Sequence, residues 1–156
     1  MTKTETKPAT ATRTATMPPL LVTAAIIEED GLILVTQRPE GSRHAGKWEF
    51  PGGKMEPGES PRQALERELR EELNLEISAE DIVETLYHRY PWGAVLILAY
   101  RCRIRGGALR HLQVADHRWL PAEQLPEYDF LEADRPLVEK LQRDRPVSNS
   151  PPPPAE

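Results

Sequence analysis

Residues Gly52–Leu73 read GGKMEPGESPRQALERELREEL. The stretch opens on a glycine pair and closes in carboxylates broken by arginines. Its second half carries the marks of a helix. Ser60 suits an N-cap, and Gln63 completes a Ser-x-x-Gln capping box. Pro61 suits the first helical position, where a missing N–H costs nothing. Leu65, Leu69 and Leu73 recur every fourth residue and make a stripe that faces a core. The spacing predicts a helix from Pro61 to about Leu73, with Asn74 as a left-handed residue just past its end. Glu68, Glu71 and Glu72 then project from neighbouring positions on one face. Three close carboxylates raise one another's pKa values and cost stability. Either that face is solvated and laced with pairs such as Glu66–Arg70, or it holds a hard divalent cation through oxygen ligands. The glycine-rich turn upstream lets backbone carbonyls and a phosphate chain approach closely.

Outward from this segment the chain alternates strands and turns. Leu20–Ile27 is a β-rich apolar run, Glu29-Asp30-Gly31 a hairpin turn, and Leu32–Arg38 a second strand. Pro39–Lys47 is a loop, and Trp48–Phe50 is short and extended. Ile82–Arg89 and Val95–Arg105 read as a strand pair about Pro91-Trp92-Gly93. His117–Leu120 is another short strand and Pro121–Leu125 a helical turn. Asp134–Arg143 is a final helix with Leu137, Val138 and Leu141 facing inward. Strands on both sides of one central helix, with a helix at the end, predict an α/β fold with a mixed sheet covered on both faces.

The composition sets outer limits. The chain has 156 residues, enough for one domain, and 38% are hydrophobic. No apolar run approaches the roughly 20 residues of a membrane helix. A net charge of −5 argues against a surface that grips polymeric nucleic acid through its phosphates. It leaves room for a small phosphorylated substrate whose charge a metal offsets. Cys102 is the single cysteine, which fits a reducing, cytoplasmic setting. Residues 1–17 are threonine-rich and residues 145–156 proline-rich. Neither can bury enough apolar surface to offset its ordering entropy, so both are expected to be disordered tails around a domain at residues 18–144.

From Gly53 the spacing is G-x5-E-x7-R-E-L-x-E-E-L-N-L, which resembles the Nudix box. Its glycine, first glutamate, Arg-Glu pair and Glu-Glu pair fall at Gly53, Glu59, Arg67, Glu68, Glu71 and Glu72. The lead-in Trp48-Glu49-Phe50-Pro51-Gly52 and Gly53-Lys54 resemble the MutT-like branch. The resemblance implies a Nudix α/β/α sandwich and Mg²⁺-dependent hydrolysis of a nucleoside diphosphate linked to another group, with Mn²⁺ as a substitute. It assigns metal binding to the Gly52 carbonyl, Glu68, Glu71 and Glu72. It makes Glu68 a general base oriented by Arg67, lets Glu71 position the water, and leaves Gly53 and Glu59 structural roles, Glu59 pairing with the helix arginines. In MutT-like members water attacks the β-phosphorus of a nucleoside triphosphate and releases pyrophosphate, a reaction that serves nucleotide-pool sanitation or CTP/dCTP turnover.

Two positions depart from the pattern. Asn74 stands where the family has glycine, a tolerable exchange in the left-handed region. Gln113 stands where many MutT-like enzymes carry a further glutamate, so either Asp116 substitutes or that carboxylate is absent. On the substrate side the resemblance points to Arg38 for ribose or phosphates, to Phe50, Tyr90 and Trp92 near the base, and to Lys54. In YDFLEADRPLVEKL, Tyr128–Leu141, Asp134 matches the position that contacts the base edge, in a pattern similar to the CTP pyrophosphohydrolase-like branch. Asp134 also suits an N-cap. Ionised, it accepts only and matches an amine such as cytosine N4; protonated, it serves an oxidised purine. The rival readings are an ADP-ribose or nucleoside diphosphate-X hydrolase and a non-catalytic nucleotide-sensing module. The oligomeric state is open between monomer and homodimer.

Overall fold

The computed structural model describes residues 17–144. The tails expected at residues 1–17 and 145–156 lie outside the described residues, apart from Met17. Strand β1 (Leu20–Glu29) is the axis of the sheet. Ala24 and Ile26 enter one core cluster, while Ala25 and Ile27 enter the other. Both faces of β1 are therefore buried, which is why its sequence is a continuous apolar run rather than an alternation.

The Asp30-Gly31 turn, with Asp30 at φ 54°, leads into β2 (Leu32–Gln37). Two short strands follow, β3 (Trp48–Glu49) and β4 (Gly52–Lys54). The N-terminal half of β1 pairs antiparallel with β4, Ala24 facing Gly52, and its far end pairs with β2. On its other side β1 runs parallel to β6 (Gly93–Gly107), from Leu20 opposite Val95 to Ile27 opposite Cys102. Strand β5 (Leu75–Tyr90) pairs antiparallel with β6, and β7 (Asp116–Leu120) pairs with β2.

Helix α1 (Pro61–Leu73) covers one face with Leu65, Leu69 and Leu73, all fully buried. Each buried leucine contributes about 2 kcal/mol, which fixes the helix despite its crowded carboxylates. The expected cap is present. Ser60 Oγ accepts from the Gln63 amide at 3.2 Å, and Gln63 Oε1 accepts from the Ser60 amide at 2.9 Å. Asn74 takes the left-handed conformation, φ 60°. Helix α2 (Arg135–Arg143) covers the other face with Leu137, Val138 and Leu141, beside Phe50 and Phe130. The mixed sheet between two helical layers is the α/β/α sandwich expected.

Two local expectations change. The strand expected from Ile82 begins at Leu75, directly after α1. Leu75 and Ile77 are buried, and three register irregularities between Glu76 and Glu84 absorb the polar segment around Ile82. The Glu66–Arg70 pair does not form. Glu66 Oε2 accepts from the Ala79 amide at 3.1 Å, and Arg70 reaches Glu76 at 3.6 Å. Both partners lie on β5, so packing of the helix on the sheet outweighs the helical i, i+4 pairing.

Candidate active site

A cavity of about 1750 Å³ brings together residues from β1, β3, β4, α1 and the β5–β6 turn. One part of its lining is the carboxylate group. Glu68 and Glu72 line it, with Gly52, Gly53, Lys54 and Thr23 beside them. The glycine pair lets this strand lie close to both neighbours. A Cβ on Gly52 would stand 2.0 Å from the Thr23 carbonyl oxygen, and one on Gly53 would stand 2.4 Å from the Glu68 carboxyl carbon. The strand thus lies against both β1 and the carboxylate face of α1; at Gly52 the obstacle is backbone and only glycine fits, while at Gly53 it is the end of a flexible side chain.

Arg67 organises the glutamates. Its Nε and Nη2 donate to the two oxygens of Glu59 at 2.5 and 3.0 Å. Nη1 donates to Glu68 Oε2 at 3.3 Å and to Glu71 Oε1 at 3.1 Å, and Nη2 also reaches the Lys54 carbonyl at 3.0 Å. The planar guanidinium uses its fork to tie three carboxylates and a strand into one array. Glu59 is held below the usual carboxylate range by that bond.

Glu68 and Glu72 behave differently. Burial raises the pKa of each, and their carboxyls lie close enough to share a proton. Glu72 Oε1 is buried without a hydrogen-bond partner. A buried orphan oxygen is costly unless it is liganded. An oxygen-liganding divalent cation relieves both the orphan and the repulsion, so these residues fit the metal that the carboxylate spacing implies. Glu71 is half-exposed, tied to Arg67, and does not line the cavity. Neither Gln113 nor Asp116 lines it either. The Gln113 side chain is exposed while its amide donates to the Glu72 carbonyl at 3.1 Å. Asp116 is bound to Arg118 at 2.6 Å.

The rest of the lining has another character. Phe50 is buried, 5.3 Å from the Phe130 ring, and both packs the core and walls the cavity. Tyr90 and Trp92 stack with centroids 5.3 Å apart and planes 8° apart. Arg43 lies 3.9 Å over the Trp92 ring, and His44 Nε2 accepts from Trp92 Nε1 at 3.2 Å. Arg38 lines the cavity but is already engaged. Its Nη1 donates to both oxygens of Glu49 at 3.1 and 3.3 Å, and its Nε donates to the Arg43 carbonyl. Burial pushes Glu49 up to about 7 against the pull of Arg38.

Asp134 lines the cavity and is 4% exposed. It is not an N-cap. Its backbone is already helical, φ −90° and ψ −10°, as the last residue of a 3₁₀ turn, and it makes no capping hydrogen bond. Capping needs an extended backbone that folds the side chain over the first helical amides. Asp134 instead turns inward, and Oδ2 accepts from the Phe50 amide at 3.4 Å. Burial pushes its carboxyl up to about 8, with Glu49 adding to the shift. That shift favours the protonated form, which both donates and accepts, over the ionised acceptor that matches a cytosine amine.

Glu49, Arg43 and His44 carried no assignment on sequence grounds. For Glu49 a signal existed: a charged residue between Trp48 and Phe50 in an apolar strand. Arg43 and His44 sit in a loop whose path no local pattern fixes.

Comparison with known proteins gives this geometry a family. The NUDIX domain matches residues 17–141, and the chain belongs to that family. It is a hydrolase of the MutT-like type. It is 43% identical over 121 residues to the CTP pyrophosphohydrolase of Escherichia coli, covering 76% of this chain and 87% of that one. It is 31% identical over 128 residues to the E. coli 8-oxo-dGTP diphosphatase, covering 81% and 99%. Among solved structures, the E. coli ORF135 protein superposes with a TM-score of 0.74 at 37% identity, covering 91% of this chain and 98% of that one. The MutT protein of Methanosarcina mazei gives 0.73 at 25% identity, covering 86% and 97%. No helix among the described residues is long and apolar enough to cross a membrane.

Proposed function

We propose that the protein hydrolyses a nucleoside or deoxynucleoside triphosphate to the monophosphate and pyrophosphate, with Mg²⁺ held by Glu68, Glu72 and the Gly52 carbonyl and with Glu71 at its outer edge. The observation that carries this reading is the buried, unpartnered Glu72 oxygen beside Glu68 in a cavity shared with a stacked aromatic pair. The metal, when bound, offsets the charge of the phosphate oxygens and acidifies water. Glu68 takes the proton of the attacking water, its carboxylate oriented by Arg67. The new bond forms at the β-phosphorus, and the bridging oxygen leaves with the monophosphate. Arg67 keeps Glu68 on the cavity side by fixing one oxygen, and Glu59 fixes Arg67 in turn.

The base stacks on the Tyr90–Trp92 pair, an arrangement that tolerates any base. Its edge meets Asp134. A neutral carboxyl both donates and accepts, so it pairs with cytosine through N3 and N4 and equally with an oxidised guanine through O6 and the N7 proton. The two E. coli relatives, named for CTP and for 8-oxo-dGTP, span these two bases. Lys54 and Arg38 supply positive charge for the phosphates and ribose.

The test is pyrophosphate release with Mg²⁺ from CTP, dCTP, UTP and 8-oxo-dGTP, with ADP-ribose alongside. Pyrophosphate and a monophosphate in equal amounts are expected from at least one triphosphate. Orthophosphate as the product, or ADP-ribose as the best substrate, removes the reading. Absence of any turnover together with tight nucleotide binding makes the protein a sensor instead.

A further inference from the structure

Outside the cavity, His111, Asp116 and His117 place one ligand atom each within 4.8 Å of one another. His111 Nε2 stands 2.8 Å from His117 Nδ1, with the rings tilted 69°. Asp116 is the residue before His117, and His111 lies in the loop between β6 and β7. We propose that these three residues form a second metal site, selective for a divalent transition ion such as Ni²⁺ or Cu²⁺ over Mg²⁺, which clamps the 108–115 loop against the end of α1. The site is independent of the carboxylate cluster and does not rest on the proposed reaction.

The ligand chemistry sets the class of ion. Two imidazoles and one carboxylate suit borderline-soft first-row metals, whereas Mg²⁺ prefers oxygen alone. With metal–nitrogen bonds of about 2.0–2.1 Å, two ligand nitrogens stand about 2.9–3.4 Å apart. The ion-free rings are already 2.8 Å apart in a hydrogen bond, so ligation needs only a small opening. The ion takes the place of the proton that the two rings otherwise share. Asp116 contributes the negative charge, and Arg118, bound to its Oδ2, is the cation with which the ion competes. His111 is exposed, so the ion enters from solvent.

The position gives the site a consequence. The last carbonyls of a helix have no partner within it. Here the loop supplies partners: the Arg110 amide donates to the Leu73 carbonyl at 2.9 Å, and the Leu112 and Gln113 amides donate to the Glu72 carbonyl at 3.0 and 3.1 Å. His117 is fixed to the sheet opposite Thr36, and Asp116 opposite Gln37. An ion bridging His111 to His117 therefore ties the loop to the sheet and holds its amides on the backbone of the same Glu72 whose side chain enters the cavity.

The experiment uses the full chain without a polyhistidine tag. Ni²⁺ is titrated calorimetrically in millimolar Mg²⁺, and amide exchange is followed at Leu112 and Gln113. One Ni²⁺ per chain is expected, with slower exchange at both amides. His111→Gln and His117→Gln should each weaken binding by at least about tenfold, while Glu72→Gln leaves it unchanged. Because His111 is exposed, its substitution does not threaten folding. No binding by the wild type, binding unchanged from the wild type in both histidine variants, or loss of binding in Glu72→Gln alone overturns the proposal; the last would put Ni²⁺ in the carboxylate cluster.

Discussion

Replacing Gly53 with alanine should separate activity from stability. The added methyl would stand 2.4 Å from the Glu68 carboxyl carbon and 2.5 and 2.7 Å from its oxygens, where ordinary contact begins at 3.4 Å. The three nearest atoms all belong to the far end of a flexible side chain. Gly53 is not in the left-handed region, so its backbone accepts alanine. The fold is then kept while the Glu68 carboxylate retreats by about 1 Å, a displacement that costs on the order of 100-fold in rate, or about 2.7 kcal/mol of barrier. Gly52→Ala is the contrasting case. Its methyl would meet the Thr23 carbonyl at 2.0 Å, backbone against backbone. That clash separates β4 from β1 and should cost several kcal/mol of stability. The assay is pyrophosphate release with Mg²⁺, paired with thermal unfolding of both variants. A folded Gly53→Ala protein with wild-type kcat would refute the placement of Glu68 at the reacting centre. Equal loss of Tm in the two variants would refute the steric argument.

Three further outcomes follow from the site. Glu72→Gln should keep the fold and lower turnover by orders of magnitude, and Mg²⁺ should raise the Tm of the wild type but not of this variant; equal Tm shifts would remove the metal assignment. Asp134→Asn should preserve the ranking of CTP, UTP and 8-oxo-dGTP, because a neutral carboxyl and an amide both donate and accept, whereas Asp134→Leu should collapse it; if Asn reorders the substrates, the carboxyl acts ionised. The raised pKa of Asp134, from 3.8 to about 8, means the folded state binds one more proton between these values. The stability it contributes is complete below pH 3.8 and is lost as pH rises through 8, at up to about 1.4 kcal/mol per pH unit. Glu49, raised to about 7, acts in the same direction. Unfolding of the metal-free protein between pH 5 and 9 should therefore be flatter in Asp134→Asn than in the wild type, and parallel curves would contradict the buried neutral carboxyl.

The helix that carries the carboxylates was legible in the sequence because everything that makes it is local. Its cap, its leucine stripe and its left-handed stop all depend on residues within one or two turns, and each appears as read. The same holds for the Asp-Gly hairpin and for the adjacency of Glu68 and Glu72. Family resemblance added expected roles for those residues, and the fold it implied is the one formed. Tertiary structure alone decided the rest, because the deciding partner lies far along the chain. Asp134 reads as a helix cap from its neighbours, yet the Phe50 amide 84 positions away claims its side chain. Glu66 leaves its helical partner for the Ala79 amide once α1 packs on β5. Leu75 starts a strand only because β6 offers an edge across three irregularities that no pattern reveals. The pKa values of Asp134 and Glu49 arise from burial, which is a property of the assembled core and has no signature at either residue.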